Sequence, residues 1–276
     1  MTHSIWGRFK RSKLAVVALV YVGFMTLVAL LAPLLSPFGP DEVDVVNRLL
    51  PPNAIHRLGT DDLGRDVLAR MIHGARISLT VGYSATALAL VVGCFFGAMA
   101  GYYGGAVDWF VSRLIEIVLC FPFLFLVLGI VALFRPSLWT IMIALGLTTW
   151  TSEARFVRGE FLRLRGLDFA QAARASGARD RRIIFRHLLP NALAPVLVSA
   201  SFGVAGAIVT ESALSFLGFG LPPPTASWGS ILSTAQQYID YAWWLVVFPG
   251  LAIFTTVAAF NIIGDRFRDA LDPRSD

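Results

Sequence analysis

The sequence predicts an all-α membrane protein of about six transmembrane helices, with both termini in the cytoplasm. Three observations carry that expectation. Apolar residues make up 56% of the 276 and charged residues 15%, with a mean hydropathy of +0.68, whereas a soluble domain carries about 25% charged residues. Charge-free stretches of about 20 residues, enough to cross a hydrocarbon core of roughly 30 Å, recur along the chain. Lysine and arginine, which favour cytoplasmic loops, divide 17 to 6 between inner and outer segments when both termini lie inside.

The charge-free spans run Leu14–Pro40, Ile77–Val107, Ile117–Phe134, Pro136–Ser152, Leu188–Thr210 and Tyr241–Gly264. Arg8, Lys10, Arg11 and Lys13 precede the first, as in a secretory signal, but its apolar core is longer than the roughly 7 to 15 residues of a signal peptide. It reads as an uncleaved first helix over 14–35, behind a cytoplasmic tail 1–13. A seventh stretch, Ser212–Ile239, carries Pro222-Pro223-Pro224. Lipid would leave such backbone unpaired, so it reads as a loop, with room for a re-entrant or interfacial helix.

Ser36-Pro37-Phe38-Gly39-Pro40 stops a helix and opens an external segment, 36–76. Its end, Asp62 to Ser78, is amphipathic. There Asp62 can cap a short interfacial helix bearing Val67, Leu68, Met71 and Ile72, with Arg65, Arg70 and Arg76 left for headgroups or ion pairs. The second span carries Gly82, Ala85, Ala89, Gly93, Gly97 and Gly101, small residues that let a neighbouring helix approach closely, in this chain or another. Glu116 and Glu211 are carboxylates near span ends, either hydrogen-bonding groups at a helix end or subunit contact, or groups lining a translocation path. Cys94 and Cys120 fall inside spans, with neither disulfide nor metal-ligand spacing.

Residues 153–190 hold nine arginines, more than a helix connection needs. Anionic headgroups attract such residues by about 1 kcal/mol each. Within the cluster, however, the stretch Leu167 to Ala178 spells a short alanine-rich helix, Phe169 to Ser176, with Asp168 placed to accept from the first free amides and Gly177 placed for the left-handed turn after the last. Two turns are marginal in isolation, so this helix needs a groove on a protein partner. A basic connector follows from Asp180 through Arg181, Ile183, Ile184, Phe185 and Leu188 to Leu189-Pro190, leading into the fifth span. The net charge of +5 and pI near 9.6 therefore describe topology and anionic lipid contact, not nucleic-acid binding.

Gln171-Ala172-Ala173, Gly177 and Leu189-Pro190 resemble the permease signature loop of ABC importers, in which Glu-Ala-Ala is followed by Gly and later Leu-Pro. Gln171 stands for the usual Glu and is also a good helix former. The stretch from Leu58 to Leu68 with Gly74-Ala75-Arg76 is similar to the dipeptide, oligopeptide and nickel permease subfamily, and to its second permease subunit in particular. So are the stretches from Arg182 to His187, Leu189-Pro190-Asn191 and Glu211 to Gly218. The resemblance covers nearly the whole chain. It implies a type I ABC importer transmembrane domain in a bacterial inner membrane, with a permease core 77–264, a coupling loop 153–190, periplasmic segments 36–76 and 217–240, and a cytoplasmic tail 265–276. It also implies an ATPase-coupling set: Asp168, Phe169, Ala170, Gln171, Ala172, Ala173, Arg174, Ala175, Ser176 and Gly177 in the helix, and Arg181, Arg182, His187, Leu189 and Pro190 in the connector. The implied partners are a homologous permease forming a heterodimer, two ABC ATPases, a periplasmic solute-binding protein and lipid. The implied solute is a di- or oligopeptide, with nickel complexes and glutathione related choices.

The chain cannot hydrolyse ATP through a phosphate-cradling loop, because its only lysines are Lys10 and Lys13, both in the N-terminal tail. ATP and magnesium are expected on partner ATPases, and no cofactor or metal on this chain. An ion-coupled secondary transporter is the alternative, but it needs ionisable groups near the membrane midplane. An intramembrane enzyme needs a nucleophile-base or metal constellation. His3, His56, His73 and His187 all fall outside the spans and form no ligand-spaced pair.

Overall fold

A computed structural model describes residues 5–271, all of its regular elements helical. His3 and the end of the C-terminal tail, from residue 272, lie outside the described residues. A short helix α1 (Ile5–Arg11) leads into α2 (Lys13–Leu30), whose first turn is capped by Ser12 accepting from the Ala15 amide, and α3 (Ala32–Leu35) ends it ahead of Pro37.

The external excursion is organised by Asp61. One of its oxygens accepts from the Leu63 and Arg65 amides at 2.9 and 3.0 Å, and the other faces Arg65 Nε at 2.7 Å and Arg70 Nε at 3.4 Å. Gly59 turns with φ +81°, where a Cβ would stand 2.7 Å from the Leu50 carbonyl. The helix that follows, α4 (Val67–Tyr103), is capped by Asp66 accepting from Ala69 N at 2.7 Å, not by Asp62. It runs unbroken for 37 residues, roughly 55 Å, so the expected separate interfacial helix is the outer end of the second span. Its apolar residues find protein rather than headgroups. Val67 packs with Ile231, Trp244 and Leu245.

The chain turns back through Gly104 and Gly105 into α5 (Gly105–Leu119) and α6 (Phe123–Phe134), which meet at 83°. Pro122 fixes that bend, because proline disfavours helix in the residue before it. Then come α7 (Leu138–Leu164), α8 (Asp168–Ala175), α9 (Asp180–Arg182), a π-helical segment Ile183–Leu188, α10 (Leu189–Phe216), α11 (Trp228–Ala235) and α12 (Trp244–Leu271). The Ser212–Ile239 stretch thus holds the end of α10, a turn through the prolines, and the interfacial-length helix α11, whose capping box pairs Ser227 with Ser230.

Among the described residues, α2, α4, α10 and α12 are long and apolar enough to cross a membrane, and the bent α5–α6 pair makes a fifth. The sixth expected span is α7. Its uncharged part stops at Ser152, but it lies parallel to α4 along a seam of glycines. A Cβ on Gly93 would stand 2.5 Å from Glu153 Cβ, one on Gly97 2.5 Å from the Ala154 carbonyl, and one on Gly101 2.6 Å from Phe161 Cβ. Gly82 meets Ile208 and Val204 of α10, and Gly264 of α12 meets Phe202. The small-residue stripe therefore serves packing within this chain. Helix α2 is applied outside, joined to α12 by Tyr21 and Thr255 at 2.6 Å and to α4 by Thr26 and Tyr83 at 2.8 Å.

Candidate coupling loop and intramembrane carboxylates

Helix α7 continues through Leu164, so residues 153 to 164 are helical and the connecting loop begins at Arg165. Glycine spacing on α4 holds α7 close enough for one apolar cluster to form at the cytoplasmic ends of the bundle. It joins Ala98, Tyr102, Val157, Phe161 and Leu164 to Ala170, Ile183, Ile184 and Leu188. Ala170, 4% exposed, is the one α8 residue buried there. Asp168, Phe169, Gln171, Ala172, Arg174, Ala175, Ser176 and Gly177 face outward, with Ala173 half-buried.

The helix ends in a Schellman turn: Ala178 N bonds to Ala173 O at 3.1 Å and Gly177 N to Arg174 O at 3.0 Å, with Gly177 at φ +75°. At the other end Asp168 is the first helical residue and makes no side-chain cap; the N-cap is Leu167. Asp168 acts there through its charge near the helix N-terminus. Gln171 Nε2 donates to the Gly166 carbonyl at 2.9 Å, tying the helix to the turn before it. A glutamate could not donate that bond.

The nine arginines divide into two sets. Arg158 pairs with Asp108, Nη2 to Oδ2 at 2.7 Å; Arg165 Nη1 donates to the last carbonyls of α4, Gly101 and Tyr102, at 3.0 and 3.2 Å. Arg163 pairs with Glu160 at 2.7 Å, and the Arg174 guanidinium sits 5.4 Å from the centre of the Tyr102 ring, whose hydroxyl donates to Asp180 at 2.6 Å. These hold the loop. Arg155 on α7 and Arg179, Arg181, Arg182 and Arg186 after α8 reach no carboxylate among the described residues and lie exposed. His187 is half-buried on the π segment, Leu189 half-buried, and Pro190 exposed at the start of α10. The π segment leaves no break between the connector and α10, and Ala170 of α8 packs in the same cluster as Ile183, Ile184 and Leu188 of that segment.

Two of the membrane carboxylates fall in unlike surroundings. Glu116 is exposed on α5, paired with Arg113 at 2.5 Å. Glu211 is fully buried where α4, α10 and α11 meet, and it accepts from Ser78 at 3.3 Å, Ser215 at 2.8 Å and Ser227 at 2.7 Å. A third carboxylate, Glu153, escaped the sequence reading because it is the first charge after a span and looked like the start of the loop. It is 8% exposed on α7 and accepts from Ser199 Oγ of α10 at 2.6 Å. Its signal was the helical continuation Thr148-Thr149-Trp150-Thr151-Ser152, with Thr149 one turn before it on the same face.

Comparison with known proteins defines the class. Residues 93–276 match the family described as the inner membrane component of binding-protein-dependent transport systems, and residues 1–52 match the N-terminal transmembrane domain of oligopeptide transport permease C. The inward-facing MetNI methionine ABC transporter has a chain with the same fold, at a TM-score of 0.60 and 21% identity, covering 75% of this chain and 98% of that one. The dipeptide transport system permease protein DppC of Alkalihalophilus pseudofirmus is 44% identical, over 97% of this chain and 88% of its own. The oligopeptide transport system permease protein OppC of Bacillus subtilis is 39% identical, over 98% and 90%. The chain belongs to the binding-protein-dependent transport permeases, in the dipeptide and oligopeptide branch of the ABC importers, and is a multi-pass membrane protein. That assignment displaces the ion-coupled secondary transporter.

Proposed function

We propose that this chain is one of two homologous permease subunits of an ATP-driven peptide importer in a bacterial inner membrane. It forms half of the translocation path, receives solute from a periplasmic binding protein, and leaves ATP and magnesium to two cytoplasmic ATPase subunits, itself catalysing nothing. The observation that carries the coupling role is α8: an eight-residue helix, exposed except at buried Ala170 and half-buried Ala173, ended by the Gly177 turn and followed by four exposed arginines that reach no carboxylate among the described residues. Such a helix is too short to persist alone, so a groove on a partner completes it. Its attachment to α4, α7 and α10 turns movement of that groove into movement of the bundle, and the solute is carried only if the two bundle states bind it differently. The peptide solute follows the names of the relatives. The test is uptake in proteoliposomes: Ala172→Glu, on the exposed face, is expected to leave membrane insertion and ATP hydrolysis intact while uptake falls at least tenfold. Uptake that survives deletion of residues 168–178 would refute the coupling role.

A further inference from the structure

A groove of about 450 Å³ opens between α4, α6, α7 and α10, and no residue of α2 or α12 lines it. Its volume lies in the roughly 300–1,000 Å³ range of small-molecule sites. Glu153 is the one ionisable side chain in its lining. It sits 15 residues along α7 from Leu138, roughly 22 Å from the outer end of that helix. Its single hydrogen bond comes from a neutral hydroxyl, Ser199 Oγ at 2.6 Å, although a carboxylate has capacity for about four. No arginine or histidine among the described residues pairs with it.

The second observation is Thr86, one helix away. It is 6% exposed, lines the same groove, and its Oγ1 has no hydrogen-bond partner. A carboxylate with acceptor capacity beyond its one serine bond and a buried hydroxyl with no partner thus line one cavity, and natural structures rarely leave such groups unsatisfied. Phe123 and Phe202 also line the groove, and an aromatic ring attracts a cation within about 6 Å of its centre.

We propose that this groove is the subsite for a solute's ammonium group, with Glu153 as counter-charge and Thr86 as second acceptor. Resting on the peptide-importer reading above, the ligand is the free α-ammonium of a peptide. The groove would discriminate against anions and against peptides blocked at the amino end. Helix α7, which carries Glu153, continues into the loop that bears α8, so a displacement of α8 reaches the subsite through one rigid element.

The charge of the groove is read directly by cysteine labelling of the complete importer. In a Cys94→Ala, Cys120→Ala background, Thr149→Cys reports the groove one turn from Glu153. The rate with a trimethylammonium-ethyl methanethiosulfonate, divided by the rate with the sulfonatoethyl reagent, is expected to fall at least tenfold on adding Glu153→Gln. An unchanged ratio, or no labelling at all, overturns the subsite. Uptake of labelled dialanine in proteoliposomes is the companion arm. Glu153→Gln, which keeps the size and the Ser199 bond, is expected to cut uptake at least tenfold while ATP hydrolysis still responds to the binding protein, and Glu153→Asp to restore part of it. Undiminished uptake in Glu153→Gln overturns the subsite alone. Failure of the unmodified importer to take up dialanine overturns the peptide reading, and this ligand with it.

Discussion

Replacing Gly97 by alanine tests the packing that positions both the loop and the groove. The added Cβ would stand 2.5 Å from the Ala154 carbonyl and 2.8 Å from Val157 Cβ. Ordinary contact begins near 3.4 Å, so α4 and α7 must part by about 0.9 Å at a point where both neighbours are backbone or branched carbon. Overpacking of this kind costs about 1–3 kcal/mol, against a gain of up to about 1 kcal/mol from replacing glycine in a helix. A net loss of about 1–2 kcal/mol corresponds to roughly 2–8 °C in Tm for a protein of this size. Gly23, on the outer face of α2 with nothing within 4 Å of its would-be Cβ, is the control. The assay is the melting of detergent-purified protein followed by size-exclusion fluorescence. Gly97→Ala is expected to melt lower and Gly23→Ala at or above the parent. Equal shifts at the two glycines would refute the claim that the seam, and not helix propensity, explains these residues.

Two further substitutions probe the buried polar centres. Asp61→Asn leaves Arg65 and Arg70, 7% and 4% exposed, facing a neutral amide; breaking a buried pair costs about 3–5 kcal/mol, and the more distant Asp62 and Asp41 hold the loss near about 3. Melting of the purified protein measures it, and an unchanged Tm contradicts it. Glu211→Ala removes the acceptor of three serine hydroxyls, with an expected cost of about 3–5 kcal/mol from buried polar groups left unsatisfied at about 1–3 each, less what the serines recover from backbone. Glu211→Gln should lose much less stability and keep uptake per folded molecule. A large uptake loss in Glu211→Gln at unchanged Tm would instead place Glu211 on the solute's path.

Much of the fold was legible because the membrane imposes it: apolar runs, arginine asymmetry and small-residue spacing each have one physical cause. Helix α8 was legible from Gly177, whose left-handed turn the structure reproduces. Its start was not, since Asp168 and Leu167 are adjacent and only the backbone path out of α7 selects Leu167 as cap. The same ambiguity led to Asp62 for α4. Asp61, Asp62 and Asp66 all suit a cap, and the turn at Gly64, φ +76°, with the bridge between Thr60 and Asp66, selects the last. Sorting the arginines was beyond the sequence because their partners are remote: Asp108 lies 50 residues from Arg158, and Gly101 lies 64 from Arg165. Glu153 was hidden for a related reason. Whether the first charge after an apolar run lies in water or in a groove depends on helices packed beside it.

The central claim, that α8 is the surface through which another protein drives this bundle, is tested most directly by cross-linking. A single cysteine at Ala175, exposed on α8, in a chain with Cys94 and Cys120 replaced, is labelled with a benzophenone maleimide and photo-cross-linked in membranes holding the complete importer. The expected result is one cross-linked product containing the ATPase subunit, its yield changing between nucleotide-free and ATP-bound conditions, and none from Val43→Cys on the opposite side of the membrane. A cysteine at Ala175 that never reaches the ATPase, while cysteines in the α1 or α12 tails do, would contradict it.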